Sequence, residues 1–139
     1  MKVTKIVREY ITETVNNKYQ PLLDAIEKKY AEANERVTEV REQTRKELND
    51  VALKLFRERL APFYTPEDLA NLLDDRHLVS APNDWGASPI QCKKRNEETA
   101  KVRDERDAAV KNILITLELG GTKADLDRLL NEVNPTMEV

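Results

Sequence analysis

Apolar residues, with one threonine among them, recur along the first sixty positions at steps of three or four. They are Ile11, Val15, Tyr19, Leu22, Ile26, Tyr30, Ala33, Val37, Val40, Thr44, Leu48, Val51 and Leu55. An α-helix turns once in about 3.6 residues, so this spacing keeps all of these side chains on one face. A single helix cannot bury such a seam against itself. The pattern therefore predicts a helix over about 3–60 that needs a partner, from the same chain or from another copy.

Residues 3–19 carry their own amphipathic face, through Val3, Ile6, Val7, Tyr10, Ile11, Val15 and Tyr19. Pro21 removes a backbone donor and disfavours the helical conformation at Gln20. It predicts either a break, with Pro21 opening a second helix, or one long helix kinked there. The stripe keeps its phase across the proline, which a loop has no reason to preserve, and this favours the kinked or jointed helix. From Leu22 to Leu60, Asp24/Lys28, Glu32/Arg36, Glu42/Lys46 and Asp50/Lys54 sit four residues apart with the acid first, the favourable order. Val37, Val40, Thr44 and Leu48 form an eleven-residue interval, which unwinds a left-handed supercoil locally. Pro62 marks the end.

Thr65-Pro66-Glu67-Asp68 predicts a short helix over 65–75, with a capping threonine, a first-turn proline and acids at the positive helix end. Residues 76–92, with Pro82, Asn83-Asp84-Trp85-Gly86 and Pro89, read as an irregular loop. A second long helix is expected over 94–119, charged in its first half and apolar through Val110, Ile113, Leu114 and Leu117. Ile113, Ile115, Leu117 and Leu119 alternate like a strand, but a lone strand has no partner here, so the helix is kept. Gly120-Gly121 closes it, and Thr122 caps a last helix over 122–133.

The expected fold is all-α: a coiled-coil-like antiparallel hairpin of the helices at 3–60 and 94–119, with two short capping helices, in one domain over 1–139. Residues 22–60 span about 58 Å and 94–119 about 39 Å, so the longer helix outruns the shorter. Self-association is the expected remedy, as a homodimer or higher oligomer. Residues 1–20 would act as an oligomerisation arm. Ile6, Tyr10, Ile11, Val15, Tyr19, Ile26, Tyr30, Val37 and Val40 are the expected self-association residues.

Composition changes this picture little. Charged residues make up 35% of the chain and aromatics only 5%, with three glycines, which suits long solvated helices better than a loop-rich β-fold. The net charge of −3 gives no strong overall pull toward nucleic acid or acidic membranes. A single cysteine, Cys92, excludes an intrachain disulfide. No apolar stretch approaches a membrane span, and Lys2, Lys5, Arg8 and Glu9 punctuate the N-terminal residues, so a cytoplasmic protein is expected.

Candidate chemistry is sparse. His77, the one histidine, follows Asp74-Asp75-Arg76, and this reads as a helix end whose cations offset the dipole rather than as a metal cluster. Cys92 precedes Lys93, Lys94 and Arg95, a setting that activates thiols, yet no base is near in sequence. Leu119-Gly120-Gly121-Thr122-Lys123 resembles the glycine-rich phosphate segment of sugar kinases, which there follows a strand. Helices flank it here, so it reads as a helix end followed by a helix start. No catalytic residue, cofactor or metal is expected.

Lys93, Lys94, Arg95, Lys101, Arg103 and Arg106 offer cations for phosphates, but acids interleave with them and no aromatic supplies a stacking surface. The loop around Trp85, with Asn83, Asp84 and His77, is the other candidate for partner binding, since tryptophan is a frequent hot spot. Trp85 could equally plug the end of a thin bundle. The sequence thus predicts a non-enzymatic, homo-oligomeric helical protein that binds an unidentified protein partner as adapter or inhibitor, by analogy a phage-type accessory factor. The alternative is a nucleic-acid-associated protein using the basic residues of 93–106.

Overall fold

In the computed structural model, which describes residues 1–73, 78–79 and 86–136, the apolar stripe lies on one unbroken helix. Helix α1 spans Lys5–Leu60, α2 Pro66–Leu73, α3 Pro89–Glu118 and α4 Lys123–Glu132; no strand occurs among the described residues. The all-α expectation holds, and α1 packs against α3. Residues 113–118 are helical, which settles the alternating-isoleucine ambiguity.

Pro21 lies inside α1. Its missing N–H leaves the Asn17 carbonyl without its helical donor, but Pro21 and Asn17 are both exposed, so water can take that carbonyl. Tyr19 and Ile26 on either side are buried, and their burial offsets the cost of the proline.

The chain divides into two compact units, Met1–Glu32 with Pro89–Val139, and Ala33–Ser88, where the sequence suggested a single domain. In the first unit Ile11, Val15, Tyr19, Ile26 and Tyr30 of α1 form one core with Val102, Ile113 and Leu117 of α3 and Leu126 and Leu130 of α4. The helices run antiparallel. Arg8 lies 3.7 Å from Glu118 and Lys29 lies 3.0 Å from Glu98, so a step up α1 is a matching step down α3. Within residues 1–20, Ile11, Val15 and Tyr19 are buried in the chain's own core, while Ile6 and Tyr10 are exposed.

Local chemistry fixes the ends. Helix α3 starts at Pro89, earlier than expected, because proline suits the first helical turn, so residues 89–92 belong to the helix and not to the expected loop. Gly120 takes a φ of 111°, and a Cβ on Gly121 would sit 3.1 Å from the Thr116 carbonyl oxygen, so both glycines are required at the end of α3. Thr122 then caps α4. Its hydroxyl accepts from the Asp125 N–H, and the Asp125 carboxylate accepts from the Thr122 N–H at 2.8 Å. At the far end of α4 the Lys18 ammonium donates to the Leu130 carbonyl and, at 3.0 Å, to that of Val133.

Leu117 is fully buried where α1, α3 and α4 share one core. Leu117→Ala should cost about 2–5 kcal/mol, measured by urea unfolding followed by circular dichroism. A second test concerns pH. The Lys29 ammonium, hydrogen-bonded to Glu98, holds that carboxyl below its ordinary range. The folded state thus favours the ionised form, and this stability is present above the ordinary glutamate range and lost as pH falls through the depressed folded value. Glu98→Gln should lower the melting temperature slightly at neutral pH and not at all in strong acid. The difference should shrink with salt, because both side chains are largely solvated.

Candidate interaction surface

Each residue advances a helix by about 100°, so Val40, Thr44, Leu48, Val51 and Leu55 keep the phase of the seam from Ile11 to Tyr30. Their surroundings differ. In the Ala33–Ser88 unit Val40 is 63% exposed, Leu48 52%, Val51 56% and Leu55 42%. One continuous apolar stripe is thus buried over its first half and open over its second.

The reason lies in what the rest of that unit does. Asn49, about half a turn away from the seam, is buried, and its side-chain oxygen accepts from the N–H of Leu78 at 2.6 Å and of Val79 at 3.2 Å. Two turns back, Arg41 donates to the Gly86 carbonyl at 2.7 Å. Leu78, Val79 and Gly86 are thus hydrogen-bonded to residues of α1 that lie off the exposed seam. Arg45, next on that side, is held by Glu42 at 2.5–3.2 Å. Helix α2 buries Leu69 and Leu73, and Leu69 lines a hollow of about 380 Å³ with Arg57, Ala61 and Tyr64, again away from the seam.

A second hollow, of about 410 Å³, opens between Asn34, Thr38 and Arg41 on one side and Gly86–Ser88 on the other. The Asn34 side-chain oxygen is buried in the protein with no hydrogen-bond partner among the described residues. Arg41 and Glu42 at its edge are already engaged with Gly86 and Arg45. The hollow can accept a donor but presents no reactive pair.

The residues singled out by sequence fall into distinct places. His77, Asn83, Asp84 and Trp85 lie outside the described residues. Lys93 and Lys94 are exposed and Arg95 half-buried, and all three lie inside α3, Lys93 with them rather than just before the helix. Helical geometry scatters the basic cluster. Arg95 and Arg106 fall on the side of buried Val102, Lys93 opposite, Lys94 and Lys101 on one flank and Arg103 on the other. The described residues thus form no continuous basic face there. Cys92 is half-buried in the first turns of α3.

Of the expected self-association residues, Ile11, Val15, Tyr19, Ile26 and Tyr30 are buried by the chain's own α3 and α4. Val37 is half-buried, while Ile6, Tyr10 and Val40 are exposed. Leu48, Val51 and Leu55 belong to the open face too; they stood in the stripe, yet nothing in their spacing set them apart from the buried half. The ties of Asn49 and Lys18 to distant backbone left no trace in the sequence pattern.

The Gly120-Gly121-Thr122-Lys123 segment joins two helices, and the Asp125 carboxylate already occupies the N-terminal N–H of Thr122. That hydrogen bond holds Asp125 below its usual range. Burial first, and the Glu105 carboxylate second, raise the Tyr19 hydroxyl above its ordinary range, consistent with a core tyrosine. Among the described residues no group of His, Cys, Asp and Glu is arranged to hold a metal ion, and no helix is long and apolar enough to cross a membrane. In comparisons with known proteins, no family model, curated protein or solved structure matches this chain.

Proposed function

We propose that this chain is a non-enzymatic, self-associating helical protein of the cytoplasm that acts by holding a macromolecular partner, as an adapter or an inhibitor. The observation that carries the reading is the open half of the seam, from Val40 to Leu55, on a helix whose other half is buried in the same phase. Scattered exposed apolar residues are ordinary, but an aligned set on one helix face is characteristic of an interaction surface. Phe56, Phe63 and Tyr64, also exposed, add aromatic area to the same unit.

Light scattering across micromolar concentrations should give a mass above 16.0 kDa that falls on dilution. Val51→Glu should abolish that association while leaving helicity and monomer stability within about 0.5 kcal/mol, since the side chain is more than half exposed. A strict monomer throughout would remove the self-association part of the reading.

A further inference from the structure

We infer that the open face of α1 pairs with the same face of a second copy of this chain in antiparallel orientation, about a two-fold axis between Asn49 and Asp50. This rests on the self-association proposed above and adds its geometry. Thr44, Leu48, Val51 and Leu55 step by four, three and four, the spacing of alternate core layers in a two-stranded coiled coil. In the antiparallel arrangement Leu48 meets Val51 of the second copy, and Thr44 meets Leu55. Each layer then joins apolar atoms. A parallel pair would stack Thr44 on Thr44 in a layer of its own.

The charges beside the seam select between the two. Glu47 and Lys54 border it on one flank, and both are exposed. On the other flank Arg41 is engaged with Gly86 and Arg45 with Glu42, followed by Ala52 and Arg59. Antiparallel helices bring like flanks together, so Glu47 of each copy faces Lys54 of the other, twice per dimer. Parallel helices bring opposite flanks together, which sets Glu47 against Ala52 and Lys54 against Arg59, a repulsion repeated twice. Charge complementarity therefore favours the antiparallel pair. Asn49, on the far side of α1, stays with Leu78 and Val79 and takes no part.

The test is double electron–electron resonance on the full chain in a Cys92→Ala background, with spin labels at Asp50→Cys or Glu39→Cys, both exposed and off the seam. In the antiparallel dimer the two Asp50 labels lie almost level, whereas the two Glu39 labels are separated by about 30 Å along the axis, at about 1.5 Å per residue. A short distance at 50 and a long one at 39 is the expected result. Short distances at both sites would mean a parallel dimer and overturn this inference while leaving self-association intact. No dipolar signal at either, with a monomeric mass, would overturn both. As an independent readout, Glu47→Lys should weaken association about three- to tenfold, and adding Lys54→Glu should restore it. A double variant no tighter than the single one would overturn the pairing.

Discussion

Burial of a single apolar seam, on a helix longer than anything that returns to cover it, is the constraint on which this structure depends. Helix α1 has 56 residues and α3 has 30, so the antiparallel return can shield only part of the stripe. The part it shields becomes the core: α3 lies against Ile11–Tyr30, and α4 adds Leu126 and Leu130. Each well-buried aliphatic there contributes about 1.5–3 kcal/mol. The ion pairs at the two ends, Arg8 with Glu118 and Lys29 with Glu98, are half solvated and mark the register more than they stabilise it.

Which half stays open follows from where α3 and α4 pack along α1. Between the end of α1 at Leu60 and the start of α3 at Pro89, the described residues hold α2 and short non-helical pieces at 78–79 and 86–88. Irregular backbone carries N–H and C=O groups that need polar partners. Leu78 and Val79 find theirs in the Asn49 side-chain oxygen, and the Gly86 carbonyl accepts from Arg41, off the line of the seam. A seam of valines and leucines could not satisfy those groups. The second half of the stripe is left to solvent, and it is the surface on which a binding function can be built.

The helix junctions show the same economy. Gly120 and Gly121 end α3 because one needs a positive φ and the other has no room for a side chain, and Thr122 with Asp125 starts α4 at once. A glycine-rich stretch that resembles a phosphate loop thus serves as a tight corner. Its backbone donors are directed within the protein, those of Gly120 and Gly121 to the Leu117 and Thr116 carbonyls and that of Thr122 to the Asp125 carboxylate. Lys18 then closes the opposite end of α4, tying the N-terminal half of α1 to the last helix.

The sequence by itself determined the helices, their approximate ends, the antiparallel pairing of the two long ones and the continuity of the stripe through Pro21. All of these follow from local propensity, capping and periodicity, which act over a few residues. It also implied that some of the seam would lack cover. Only the tertiary structure decided that Val40–Leu55 stays uncovered while Ile11, Val15 and Tyr19 are buried, because that depends on where α3 and α4 pack along α1. Periodicity assigns the same phase to Val15 and Val51. It takes a folded chain, with α3 and α4 packed on the first half of α1, to bury one and leave the other open.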